Sequence, residues 1–213
     1  MARACARGTS AARGVSLIEL LVGIAVLSVA LMLGVPSLSE WIANTQIRST
    51  AESLQNGLNL ARAEAVRRNT IVRFQLTTTL DNSCALASTG TSWVVNMSQS
   101  VAPVQLCGAS VSDESTPFLL QKSGPVTSRT SATVDGSKDS TVAFNGLGRM
   151  TSTTNPVTAA RITTFGVGSS SGTCVKDAGK MRCLQVTVTP AGQIRMCDPA
   201  RSATATPPDP MAC

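Results

Sequence analysis

A run of residues without charge dominates the start of this chain: nothing between Glu19 and Glu40 is charged, and most of these residues are apolar. With the apolar residues just before Glu19, the segment over residues 15–36 is about long enough to cross a bilayer as one helix. Glu19 is the exception, because a carboxylate drawn toward the bilayer centre costs about 2.5 to 3.5 kcal/mol. The sequence therefore predicts a membrane-spanning helix whose carboxylate needs a positive partner. The candidates are the arginines of residues 1–14, or a new α-amino group if the chain is cut after Gly14.

The residues around Gly14 carry a processing motif. The segment Gly14–Val22, GVSLIELLV, resembles the N-terminus of a type IV prepilin. In that family a dedicated peptidase cuts after the glycine and methylates the new N-terminal residue. The resemblance implies a leader over residues 1–14, cleavage after Gly14 and methylation of Val15, where the family usually has phenylalanine. It also implies that Glu19 pairs with the amine of Val15, in its own or a neighbouring subunit, during assembly.

A cleaved secretory signal is the main alternative, because Arg3, Arg7 and Arg13 form a basic region before the apolar run. Three features argue against it: the charge of Glu19 inside the run, an apolar stretch longer than a signal needs, and no small-x-small cleavage site just after Val35. An unrelated single-pass anchor is the other alternative.

The remainder of the chain predicts one exported domain with a mild basic charge. Of 213 residues, a leader of 14 leaves 199, which is enough for a long helix and one head with its own core. The formal charge is +6, but without the three leader arginines the 15 basic and 12 acidic residues give +3. Such a balance permits an anionic partner without requiring one.

Six cysteines remain after the leader, an even number that predicts disulfides formed in an oxidising periplasm. Fifteen full pairings are open. The short separations in sequence favour Cys84 with Cys107, Cys174 with Cys183, and Cys197 with Cys213.

The sequence lacks residues that catalytic and metal-binding sites commonly use. The chain has no histidine, which removes the usual general base and the usual activator of a nucleophile. It has no Cys-x-x-Cys pair, and its cysteine gaps are irregular, unlike those of a zinc site. The sequence predicts a protein that is not an enzyme and holds neither cofactor nor metal.

Residues 37–68 continue the helix with an amphipathic pattern. Small and apolar residues recur at alternating steps of four and three, which places them on one face: Ile47, Ala51, Leu54, Leu58, Ala61 and Ala65. We expect this stripe to pack on the protein's own sheet, and the helix to end near Arg68-Asn69 with Asn69 as a left-handed cap.

Beyond the helix, residues 69–213 predict a β-rich head. Short apolar or alternating runs predict six strands: Ile71–Leu76, Trp93–Met97, Thr141–Phe144, Arg161–Phe165, Leu184–Val188 and Gln193–Met196. Asn145-Gly146 predicts a turn, and Pro190-Ala191-Gly192 predicts the turn of a hairpin between the last two strands. The polar connections Thr77–Thr91 and Val111–Ser140 are expected to be surface loops.

Three later segments restrict the resemblance to one family within the type IV pilins. Residues 58–69 (LNLARAEAVRRN), 144–149 (FNGLGR) and 189–199 (TPAGQIRMCDP) resemble the GspH/FimT family of minor pilins and pseudopilins. The resemblance implies an α+β, type IV pilin-like fold: a long N-terminal helix, membrane-spanning in its first half, and a sandwich-like head with disulfides.

By the same resemblance, the protein is a minor pilin of a type IV pilus, a structural subunit at the tip or in the priming complex. Its expected partners are other major and minor pilins and the prepilin peptidase. Before assembly it would lie in the bacterial inner membrane with its head in the periplasm. The alternative is a GspH-type pseudopilin of a type II secretion system.

Double-stranded DNA is a candidate partner. FimT-type proteins carry Gly-Arg-x-Arg at the last hairpin and bind DNA for uptake; the residues here are Gly192-Gln193-Ile194-Arg195, so one arginine of the pair is replaced by Gln193. Four other cations would complete a DNA-binding patch if the loop from Cys174 to Cys183 folds beside the hairpin: Lys176, Lys180, Arg182 and Arg201. Asp177, Asp198 and Asp209 oppose them, so the sequence favours a strand with ordinary surface charges, and DNA binding is the alternative.

Overall fold

The computed structural model describes residues 14–97, 106–124, 132–135, 140–151, 162–204, 206–207 and 209–213, with the backbone alone for 33–37 and 132–135. The predicted leader lies outside these residues except for Gly14. Within the chain, residues 1–39 and 40–213 form two separate compact units.

Helix α1, Leu17–Arg68, is the first element and belongs to both units. Within the described residues, no helix combines the length and the apolar character that a bilayer crossing requires. The membrane span over residues 15–36 stays a prediction.

The part of α1 in the second unit packs by the predicted stripe. All six stripe residues from Ile47 to Ala65 are buried, each 1% exposed or less. Ala43 extends the stripe by one further turn. After Arg68 the chain leaves the helix at Asn69, whose φ of 48° is left-handed, and Thr70 N–H donates to Ala65 O at 3.2 Å. The predicted cap is confirmed, and the stripe is the helical contribution to the core.

In the described part of the chain, nine strands follow in order, with one short 3-10 helix over Val175–Asp177 between β7 and β8. The strands are β1 Val72–Thr77, β2 Ser92–Met97, β3 Leu119–Lys122, β4 Ala132–Asp135, β5 Thr141–Phe144, β6 Met150–Thr151, β7 Thr163–Ser169, β8 Leu184–Val188 and β9 Ile194–Cys197. The first sheet has the order β3-β2-β1-β5-β6 and the second β4-β7-β8-β9, with every neighbouring pair antiparallel.

One core joins the helix stripe to both sheets. Alternate residues of β1 point into it, and Phe74 lies with its ring centroid 5.5 Å from that of Trp93 and 5.9 Å from that of Phe165 in the second sheet. Trp93 Nε1 donates to Ser53 Oγ of the helix at 3.1 Å, which satisfies the indole N–H in the core. Helix and both sheets therefore depend on each other, as the sandwich-like prediction requires.

Two expectations about the strands were wrong. The segment Val111–Ser140, expected to be a surface loop, contains β3 and β4. Both lie at sheet edges, and neither shows a strand pattern of its own, because β3 has two adjacent leucines before polar residues and β4 has a single valine among small and polar residues. β7 also continues beyond Phe165 to Ser169, because Gly166 and Gly168 pair with β8 or β4 despite their low strand propensity.

The three disulfides join Cys84 to Cys107, Cys174 to Cys183 and Cys197 to Cys213. These are the pairs that the short sequence separations favour. Cys84 and Cys107 are buried with Val94 and Leu119 in a small second cluster. Part of the expected surface loop Thr77–Thr91 is therefore anchored inside the head.

Candidate functional site

The processing motif lies at the start of α1. Gly14 precedes the helix, and a side chain added at Gly14 would meet no atom within 4 Å. Val15 is 66% exposed, and Glu19, in the first helical turn, is exposed as well. Among the described residues no cation lies within ion-pair distance of Glu19. The residues around the predicted cut are thus open to an enzyme or to another subunit.

The helical residues after Glu19 form an apolar surface on all sides. From Leu17 to Met32 the large apolar side chains are between 55% and 81% exposed. A helix that is apolar all round is normally buried, in a protein core, a membrane or an assembly. Exposed apolar surface of this extent indicates an interaction site. We call residues 17–32 the apolar helix segment.

The predicted DNA-binding residues lie in the second sheet and the segments beside it, and Arg195 has a structural partner there. Its Nη2 donates to Pro210 O at 3.2 Å and to Ala212 O at 2.9 Å. The disulfide from Cys197 to Cys213 and the hydrogen bond from Asp198 N–H to Met211 O, 2.7 Å, tie down the same tail. Arg195 therefore holds the C-terminal tail against β9.

Arg201 is likewise paired. Its Nη1 lies 2.7 Å from Asp209 Oδ2, and its Nε lies 3.4 Å from Asp198 Oδ2. The hydrogen bond and charge of Asp209 raise the pKa of Arg201. The pKa of Asp209 is lowered, first by the Met211 N–H and then by Arg201. This guanidinium stabilises the tail, and its charge is balanced locally.

The remaining predicted residues are spread over several elements. Lys180 Nζ lies 3.1 Å from Glu40 Oε1 on the helix. Lys176, in the 3-10 helix, and Arg182 are exposed, and neither side chain has a hydrogen-bond or ion-pair partner among the described residues. Gln193 is exposed at the end of the β8–β9 turn, where its N–H donates to Thr189 Oγ1 at 3.2 Å. The turn over Pro190–Gly192 is confirmed.

A groove of about 350 Å³ brings two of these cations together. Arg182 and Arg201 line it with Arg48 and Trp41 of the helix and with Met211 of the tail. Trp41 is 67% exposed. The carboxylates of Glu52, Asp198 and Asp209 pair with Arg48 and Arg201, so Arg182 is the unpaired cation of this wall in the described part of the chain.

Sequence reasoning missed Trp41 and Arg48. A signal was present: residues 41, 45 and 48 are spaced to share one helical face, separate from the stripe that starts at Ala43. Lys176 and Lys180 are not among the residues that line the groove. Of the predicted DNA-binding patch, the groove assembles only Arg182 and Arg201.

Comparison with known proteins gives one family. Residues 50–203, more than half of the chain, match the family model described as type II transport protein GspH. A search of the curated proteins found no match.

Two solved structures are similar in fold, both crystal structures of the type IV minor pilin FimU from Pseudomonas aeruginosa strain PAO1, in two crystal forms. Each shares 18% sequence identity with this chain. One has a TM-score of 0.46 and covers 71% of this chain and 88% of FimU; the other has a TM-score of 0.42 and covers 70% and 90%.

Proposed function

The chain belongs to the family of the type II transport protein GspH, and on that premise we propose that it is a minor pilin, a structural subunit of a type IV pilus. In this proposal the head is presented at the filament tip or in the priming complex. The apolar helix segment anchors the precursor in the inner membrane and then packs among the helices of other pilins.

The observation that carries the proposal is the exposure of the apolar helix segment. Its large apolar side chains are more than half exposed in the isolated chain. Removing apolar surface from water contributes about 25 cal/mol per Å², so covering this segment in a membrane or in a bundle of helices is strongly favoured over leaving it in water. Glu19 adds specificity, because a carboxylate carried into such an apolar setting must find a cation.

Processing after Gly14 is the first test. We expect mass spectrometry of membrane-extracted protein, made with an active prepilin peptidase, to find N-methylated Val15 as the terminal residue. Gly14→Val should leave an uncleaved precursor, because a bulky residue blocks a pocket built for glycine. An intact Met1 terminus on the wild-type protein would overturn the prepilin assignment.

A pseudopilin of a type II secretion system is the second candidate, favoured by the description of the matching family. The same helix and head serve either machine. The two are separated by deleting the gene and measuring surface pili and secreted enzymes in parallel. Loss of pili with normal secretion supports the pilus; the reverse result supports the secretion system.

A further inference from the structure

Three elements meet at Gly148: helix α1, the β5–β6 turn and the β8–β9 turn. Arg62 Nε of the helix donates to Gly148 O at 3.1 Å. From the other side, Gly192 of the β8–β9 turn is buried against the same carbonyl, and a Cβ at Gly192 would collide with Gly148 O. Met150 N–H completes the junction by donating to Pro190 O at 3.1 Å.

The two glycines are required by this packing. Gly148 and Gly192 have φ of 72° and 82°, in the left-handed region that side chains disfavour. A Cβ at Gly148 would lie 3.1 Å from Arg62 Nε and from Val66 Cγ2. The β5–β6 turn is therefore held against the helix at a fixed position, and its outer residues are presented rigidly.

The surface that this junction presents combines apolar and cationic side chains. Leu147 is 79% exposed and Val66 is 51% exposed. Beside them, Asn59, Arg62, Ala63, Val66 and Arg67 line a shallow depression of about 510 Å³ on the helix. We call the surface formed by Arg62, Val66, Arg67, Leu147 and Arg149 the junction surface.

Its charges are only partly balanced within the described part of the chain. Glu64 pairs with Arg67 and Arg68 at 2.7 Å, and the pKa of Glu64 is lowered chiefly by the Arg67 hydrogen bond. Asp113 pairs with Arg68 at 2.9 Å. Arg62 bonds a neutral carbonyl, and exposed Arg149 has no side-chain partner among the described residues. The guanidinium groups of Arg62 and Arg149 therefore lie beside Leu147 and Val66 with no carboxylate partner among the described residues.

We propose that the junction surface binds a carboxylate-bearing apolar segment on the head of a neighbouring filament subunit. This rests on the proposed function. Charge complementarity calls for an acidic partner, since neither Arg62 nor Arg149 pairs with a carboxylate in the described part of the chain. The exposed Leu147 and Val66 select a protein over a nucleic acid, because a phosphate backbone offers these side chains no apolar contact. Arginine is enriched among the central residues of protein interfaces.

Photo-crosslinking in filament-producing cells tests the proposal on the full chain. Benzoylphenylalanine replaces Leu147 in one variant and Lys176, an exposed cation in the second sheet, in a control. We expect position 147 to crosslink to another subunit through a peptide that contains Asp or Glu, identified by mass spectrometry. Arg149→Glu should lower the yield at least about tenfold, because it places like charges opposite each other, whereas Val175→Glu, at an exposed residue outside the junction surface, should leave the yield unchanged.

The recovery of the chain in filaments distinguishes the two levels of the proposal. A chain that enters filaments without a crosslink at 147 would overturn the junction surface and leave the proposed function standing. A crosslink to nucleic acid, or to a peptide without carboxylates, would also overturn the proposed role of the junction surface. A chain absent from every filament and pseudopilus complex would overturn the proposed function and the junction surface together. Loss of the crosslink in Arg149→Glu, with normal filament recovery, supports the proposal.

Discussion

The two ends of helix α1 differ in what covers their apolar residues. In the apolar helix segment the large side chains point outward on every side and stay exposed. From Ala43 to Ala65, by contrast, seven apolar residues share one stripe, and each of the seven is buried in the core with the sheets. The stripe is covered by the chain's own sheets, whereas the apolar helix segment needs something outside the chain to cover it. Substitutions in the stripe should therefore affect stability, and substitutions in the apolar helix segment should affect function.

The largest expected effect comes from truncating the buried stripe. Leu58→Ala should lower the free energy of unfolding by about 2 to 5 kcal/mol, because it leaves a cavity at a side chain that is fully buried. The matched Leu27→Ala, at a residue 58% exposed, should change it by less than about 0.5 kcal/mol. Denaturation of the detergent-solubilised chain, followed by the fluorescence of buried Trp93, measures both. Equal effects would contradict the distinction between the two ends.

Arg195→Ala sharpens the comparison within the head. If Arg195 holds the tail, its loss should cost about 1 kcal/mol, because two carbonyls lose a charged donor but regain water. Lys176→Ala is the control, since its side chain has no described partner. Unfolding curves of the two variants provide the measurement, and an unchanged midpoint for Arg195→Ala would remove its structural role.

A smaller effect is expected from acid. In the folded protein the pKa of Asp209 lies below its ordinary value of 3.8. The ionised carboxylate of Asp209 therefore stabilises the fold at pH values above 3.8. The contribution is lost as the pH falls through the folded pKa, because the unfolded chain then binds the proton more readily. Asp209→Asn should therefore be less stable than wild type at pH 6, and the gap should close below about pH 4. A gap that is constant over this range would show that the carboxylate charge is irrelevant.

DNA binding is the weakest effect we expect. Arg195, Arg201 and Lys180 already have partners, which leaves Lys176 and Arg182 for phosphate contacts. Wild type should bind duplex DNA weakly and without sequence preference, with a Kd of about 10⁻⁴ M. Gln193→Arg should strengthen binding and steepen its dependence on salt, because it adds an exposed guanidinium. Fluorescence titrations at two salt concentrations compare the DNA affinities of wild type and Gln193→Arg. Tight binding by wild type would mean that Arg195 and Arg201 give up their contacts with the tail to bind DNA.

Local sequence patterns predicted most of the helix and strands, but few of the side-chain contacts at the surface. The stripe, the cap at Asn69 and the β8–β9 turn follow from periodicity and turn chemistry, which act over a few residues. β3 and β4 were not predicted because two adjacent leucines, or one valine, among polar residues carry too little pattern. The partners of Arg195 are carbonyls 15 and 17 residues away, and Arg62 meets Gly148 across 86 residues. Such contacts depend on how the sheets close around the helix, which no local pattern reports.

The role of the apolar helix segment in assembly is tested most directly by Glu19→Ala. The measurement is the fraction of the full-length chain recovered in sheared pili, or in complexes pulled down with other subunits, relative to the membrane fraction. We expect Glu19→Ala to enter the membrane as well as wild type, since it removes a charge from an apolar segment, and to keep the stability of the head. Its recovery in filaments should fall, because the amine of Val15 loses its carboxylate partner. Equal recovery of mutant and wild type would contradict the account.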